Sequence, residues 1–321
     1  MRVKNALKNS IYSIGSYFII VLVGFISRKL FLQNLSLDFL GYEGLFANVF
    51  SLFSLAEMGT GSVIIYGLYE AVAKDKKDEI AKLMQIYKKM YSIIGLIVLV
   101  LGVVTSYFIP LMLKGNDYDI KIVTMIYFLQ LVSVLCTYFL AYKRMIFIAE
   151  QRQHTCIKID TLIDITTKII RIFVIVKTKN YIMYQLVYIV GLIVSNLIIG
   201  RKYDKEYAYI KNKKVTWQDF KALNFFHDIK NAVATQIAGT VHGATDNIII
   251  SSMLGIANVG FVSNYLFVTS NVNSVIIKIC SPIGASIANQ VRSEEPETAK
   301  RMFRMFTWIS FIIASFVSIS Y

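Results

Sequence analysis

The chain has 321 residues, of which 56% are hydrophobic, with a mean hydropathy of +0.57 and a formal net charge of +14. Soluble globular chains hold about 45–50% apolar residues; here the excess gathers in blocks of about 20, the length of a helix that crosses a bilayer. That pattern excludes a soluble globule, and the lack of alternating ten-residue strands excludes a membrane β-barrel.

Nine spans are predicted, at 9–32, 42–68, 90–113, 121–142, 157–177, 181–200, 229–253, 259–287 and 303–321. Arg2, Lys4 and Lys8 give the first a signal-like start, but no small-x-small cleavage site precedes Arg28-Lys29, so a retained helix is expected. Its polar residues, from Asn9 and Ser13 to Ser27 and Arg28, share roughly one third of the circumference. The second span carries Glu57 beside the Gly59-Thr60-Gly61 break. Before the third, Ile80, Leu83, Met84 and Tyr87 form an apolar stripe over 79–90, which reads as a helix at the membrane interface or as one docked on the protein.

The fifth span is the most informative. Asp160, Asp164, Thr167, Lys168 and Arg171 fall within an arc of about 100°. A charge at bilayer depth costs about 2.5–3.5 kcal/mol on the insertion scale, so four of them facing lipid would cost on the order of 10 kcal/mol. This face must meet protein or water. Interhelical ion pairs, such as Asp164 with Lys168 or Arg171, would satisfy it as well as a hydrated cavity would.

A basic segment follows the sixth span, in which Thr216 and Asp219 resemble a capping box ahead of Trp217, Phe220 and Leu223. The seventh span aligns Asn231, Thr235, His242 and Asp246, and the eighth repeats Asn264, Asn271 and Lys278 every seven residues. Polar stripes on several spans imply a central hydrated cavity. The expected domains are an N-terminal lobe at 1–200, a linker at 201–228 and a partial C-terminal lobe at 229–321.

With a cytoplasmic N-terminus, 25 of the 34 Lys and Arg residues fall on inner segments and six on outer ends and loops. This is the positive-inside asymmetry, and it explains the charge without nucleic acid as a partner. The three cysteines, Cys136, Cys156 and Cys280, have neither metal nor disulfide spacing. No P-loop or catalytic motif is present, so neither an enzyme nor a cofactor is expected.

Residues 28–51 and 246–270 run in parallel at an offset of about 219: a polar residue, an apolar stretch, a short turn, a Gly-aromatic pair, then an aromatic- and Asn-bearing helix. Two related lobes follow from such a repeat, a common transporter plan. Residues 55–91, LAEMGTGSVIIYGLYEAVAKDKKDEIAKLMQIYKKMY, with FLGYEGLFANVFSLFS before them, resemble the N-terminal signature of Wzx-type polysaccharide flippases. TDNIIIS at 245–251 and GFVSNYLFV at 260–268 are similar to the opening of that family's second lobe. These flippases belong to the multidrug/oligosaccharidyl-lipid/polysaccharide exporter superfamily.

The resemblance implies an all-α, two-lobe exporter in the bacterial inner membrane. It implies flipping of polyprenyl-pyrophosphate-linked oligosaccharide for capsule, O-antigen or exopolysaccharide synthesis, alongside a polysaccharide polymerase and glycosyltransferases. Two full lobes need twelve or more spans, so with about nine the second lobe is expected to be incomplete. Arg28, which looks like the superfamily's first-helix cavity arginine, is a candidate for the pyrophosphate with Lys168, Arg171 and Lys278. Asn264 and Asn271 suit sugar hydroxyls. Glu57, Asp164 and Asp246 are candidates for proton or sodium coupling, since burial raises a carboxylate pKa. The rival readings are a cation-coupled multidrug exporter of the same superfamily and a non-transporting scaffold. A membrane glycosyltransferase is disfavoured because the outer loops are short.

Overall fold

The computed structural model describes residues 2–53, 60–113, 119–211 and 245–293, with isolated positions between 213 and 219 and between 300 and 316. Among the described residues all regular structure is helical, and the all-α membrane-bundle class holds. In chain order the helices are α1 (Arg2–Asn34), α2 (Leu37–Phe53), α3 (Thr60–Ala73), α4 (Lys77–Ser106), α5 (Ile109–Met112), α6 (Ile120–Leu140), α7 (Arg144–Ala149), α8 (His154–Thr178) and α9 (Tyr181–Glu206). After them come α10 (245–254) and α11 (Ile256–Ser293). Two compact units divide the chain, Met1–Phe261 and Val262–Tyr321.

Tyr12–Asn34, Lys77–Ser106, Ile120–Ala149 and Tyr181–Glu206 are long and apolar enough to cross a membrane. On α4, Ile93, Leu96, Val100 and Val104 are exposed, as lipid-facing side chains are. Its opposite face meets α6 through Gly95 and Gly102, where an added Cβ would lie 2.9 Å from Phe139 and 2.6 Å from Leu131. Small residues let membrane helices approach this closely.

Helix α8, the expected fifth span, packs lengthwise against both α1 and α9. Its apolar side, with Leu162, Ile169 and Phe173, is exposed, while Thr167 on the polar side is buried. Lys179 in the left-handed region (φ 48°) ends α8, and the Asn180 side chain accepts from the Ile182 and Met183 amides (2.9 and 3.2 Å) to cap α9. That tight turn sets α8 antiparallel to α9, and an added Cβ on Gly191 would come within 2.3 Å of Thr167 Oγ1.

Several helices run past their expected spans. Residues 79–90 form the first turns of α4 rather than a separate interfacial helix, and Ile80, Leu83, Met84 and Tyr87 are at most 4% exposed. The docked alternative is the one observed, because the stripe continues in register with the span and extending an existing helix needs no new nucleus. The segment after α9 is tied to α4: Gln85 donates to the Ile210 carbonyl (2.7 Å), Lys213 pairs with Asp78 (2.5 Å) and Lys82 with Asp219 (2.6 Å). Asp219 accepts from the Thr216 amide and hydroxyl (2.7 and 2.9 Å), the reciprocal bond of the expected cap; Trp217, Phe220 and Leu223 lie outside the described residues.

The internal repeat takes a definite form. Helices α2 and α11 begin at Leu37 and Ile256, 219 positions apart, as are Gly41 and Gly260. A Cβ on Gly41 would lie 2.2 Å from the Ile256 carbonyl oxygen, and one on Gly260 2.6 Å from that of Leu37. Each repeat thus places its glycine against the first residue of the other repeat's helix. The contact is reciprocal.

Candidate functional site

Two cavities open along the polar face of α8. The larger, about 620 Å³, lies among α2, α6, α8 and α9 and is lined by Glu43, Gln130, Arg171, Gln185 and Tyr188 among others. The Arg171 guanidinium sits over the Tyr184 ring, 3.7 Å from its centroid, and 5.0 Å from that of Tyr188. Its Nε donates to the Tyr184 carbonyl (3.2 Å). Its remaining N–H groups make no hydrogen bond among the described residues. Ring stacking therefore holds a guanidinium at the cavity wall with donors left over for a ligand.

Glu43 is the acidic group of this cavity and accepts a hydrogen bond from the Tyr181 hydroxyl (3.0 Å). Arg28, Arg171 and Glu43 all act electrostatically on Tyr184, which gathers the three charges about one ring. Of the described charged groups that line the cavity itself, Arg171 is the cation and Glu43 the anion, and Arg28 lies close by. The Gln130 amide is buried in the same wall, within reach of the Tyr181 hydroxyl.

The smaller cavity, about 450 Å³, is lined by Arg144, Asp160, Asp164, Thr167, Ser195 and Asn196 with apolar neighbours. Arg144 donates twice to Asp160 (2.5 and 2.9 Å), to Ser195 Oγ (3.3 Å) and to Asn196 Oδ1 (3.1 Å). Ser195 donates to Asp160 (2.6 Å). This network joins α7, α8 and α9, with its charges mutually compensated. Tyr188 lines both cavities.

The sequence-derived candidates separate accordingly. Arg171 lines the larger cavity, Asp164 the smaller, and Arg28 lies within electrostatic range of Glu43 and Tyr184. Lys168 lines neither: it pairs with Asp164 (2.8 Å) and donates to the Ile20 carbonyl of α1 (3.4 Å). Asp246 is exposed on α10, and its neighbour Asn247, 3% exposed, donates to the Gly44 carbonyl (3.4 Å). Asn264 and Asn271 belong to the second unit, where the Asn271 amide donates to Phe267 of its own helix (2.6 Å). Glu57, Asn231, Thr235, His242 and the Lys278 side chain lie outside the described residues.

Sequence reading missed Glu43, Arg144, Ser195 and Asn196. Glu43, Ala47, Phe50 and Ser51 all line the larger cavity, and their spacing of 0, 4, 7 and 8 is that of one helical face. In the sequence Arg144 reads as a basic residue at a span end, which the charge asymmetry already explains.

No family model matches the chain, and no curated protein matches it. Among solved structures it is similar to one described as the inward-facing conformation of a multidrug resistance MATE family transporter of the MOP superfamily. The two share 12% sequence identity and a TM-score of 0.59, over 96% of this chain and 68% of that one. The likeness shows a shared fold.

Proposed function

We propose that the chain is a transporter of the multidrug/oligosaccharidyl-lipid/polysaccharide exporter superfamily that moves a polyprenyl-pyrophosphate-linked oligosaccharide across the bacterial inner membrane, with its N-terminus in the cytoplasm. The observation that carries this reading is Arg171, stacked on Tyr184 with unused N–H donors facing a cavity of about 620 Å³. A guanidinium held over a ring, with its two terminal NH2 groups free of described partners, suits phosphate oxygens. Arg28 adds a second cation to the same ring, and Gln130, Gln185 and Ser133 supply amide and hydroxyl groups for a glycan. Alternating access follows from the two related halves. Asp164, Asp246 and Glu57 remain the proposed coupling carboxylates, and Glu43 joins them by position. The Asn264, Asn271 and Lys278 face of α11 is the proposed contribution of the second lobe to substrate binding.

A second reading, export of cationic drugs, draws support from Glu43 at the cavity wall beside Tyr188 and from the described specificity of the similar structure. Proteoliposomes separate the two. A fluorescent pyrophosphate-linked oligosaccharide should be flipped, and Arg171→Ala should slow flipping by about 10- to 150-fold, the range of a lost charge-assisted hydrogen bond. Transport of ethidium that depends on Glu43 and ignores Arg171 would replace the flippase reading with the exporter.

A further inference from the structure

At the end of the bundle where the basic segments cluster, away from both cavities described above, a third cavity of about 440 Å³ lies among α4, the 141–143 turn, the end of α9 and the 208–211 turn. That size is within the range of small-ligand sites, about 300–1,000 Å³. Three of its lining residues are lysines, Lys88, Lys143 and Lys211, and one is acidic, Asp204. They come from separate elements and converge only in the fold.

The lysines differ in state. Lys143, with 20% of its side chain exposed, is paired with Asp204 (2.7 Å) and lies over the Tyr203 ring, 5.3 Å from its centroid. Lys88 Nζ is held 5.9 Å from the Tyr142 centroid and, like Lys211, forms no ion pair among the described residues. The Tyr142 and Tyr203 hydroxyls donate to no described residue. With Asp204 offsetting Lys143, the cavity presents an excess of two positive charges and two phenol donors. Phosphate groups match this set: anionic, rich in acceptor oxygens, and bound by point-charge ammonium groups. Basic pockets between transmembrane helices at the membrane surface bind phospholipid headgroups.

We infer that this pocket binds a phosphate group, either as an anionic lipid headgroup or as a soluble phosphate, at a site separate from the proposed transport cavity. It stands whether or not the flippase reading does, because none of its lining residues takes part in that cavity.

The test is equilibrium binding to the purified chain in neutral detergent, with dioctanoyl phosphatidylglycerol, dioctanoyl phosphatidylcholine and inorganic pyrophosphate as probes. Phosphatidylglycerol should bind more tightly than phosphatidylcholine. Lys88→Gln with Lys211→Gln should weaken it about thirtyfold, at roughly fivefold per surface lysine, while Lys179→Gln, beside the other end of α9, changes nothing. Asp204→Asn, which releases Lys143, should strengthen binding about fivefold, a gain that misfolding cannot produce. Pyrophosphate binding with the same lysine dependence and no lipid preference identifies a soluble ligand. Equal binding of every anionic probe by the parent and the double-lysine variant, or no gain from Asp204→Asn, overturns the proposal.

Discussion

The reciprocal glycine contact yields the sharpest mechanical prediction. A methyl group at position 41 would sit 2.2 Å from the Ile256 carbonyl oxygen and 2.8 Å from its Cγ1, whereas ordinary contact begins near 3.4 Å. The obstacle is backbone, so no rotamer change relieves it; α2 and the start of α11 must part by about 1 Å, enough to forfeit a quarter to a half of each contact's attraction. Overpacking of this kind costs about 1–3 kcal/mol. Alanine's helix advantage over glycine, up to about 1 kcal/mol, applies equally to the closed and parted states and cancels between them. Gly41→Ala should therefore shift the equilibrium from closed to parted by up to about 150-fold. The probe is Val259→Cys, at a position 0% exposed beside the contact, in a background with Cys136, Cys156 and Cys280 replaced by serine. Thiol labelling should be slow in that background and accelerate when Gly41→Ala is added. Gly260→Ala, with its smaller overlap at 2.6 Å, should accelerate it less. Unchanged labelling and unchanged thermal stability with Gly41→Ala would refute the reciprocal contact.

Three further outcomes are expected. Asp160→Asn removes the negative charge and one of the two oxygens that accept two Arg144 bonds and one Ser195 bond; with the pair partly exposed and screened, stability should fall about 1–3 kcal/mol, and a thermal double-mutant cycle with Arg144→Gln should show coupling above about 0.5 kcal/mol. Arg171→Lys keeps the charge but loses the planar stack on Tyr184, so flipping should fall between that of the parent and that of Arg171→Ala. Burial, reinforced by the hydrogen bond it donates to Glu150, raises the Tyr207 phenol pKa above its ordinary value of 10.0. The native state then holds its proton where the unfolded chain has released it, so this group's contribution is complete below about pH 10 and is lost as the pH rises further. Tyr207→Phe should flatten part of that alkaline decline in melting temperature.

How far the sequence foretold this arrangement varied with the kind of signal. The five polar residues of α8 were readable because helical geometry alone puts them on one face, whatever surrounds it. The repeat was readable from Gly41-Tyr42 and Gly260-Phe261, although nothing local says that each glycine meets the other half's backbone. Arg144 escaped because a basic residue at a span end is already accounted for by charge asymmetry, and its Asp160 partner sits sixteen residues away across a turn. Glu43 escaped because it lies on an apolar helix whose one-sided exposure to a cavity depends on α6, α8 and α9. The 79–90 stripe fits lipid or protein equally; its continuity with the following span, and partners such as Ile210 and Lys213 that lie 125 and 135 residues away in the chain, are not legible locally.

The account rests on Arg171 presenting donors to an anionic headgroup, and direct binding tests that most plainly. Native mass spectrometry of the purified chain should detect a polyprenyl-pyrophosphate saccharide at concentrations where the polyprenol lacking the pyrophosphate does not bind, and Arg171→Ala should abolish the difference. Equal binding of the two lipids, or a pyrophosphate preference that survives Arg171→Ala, would contradict it.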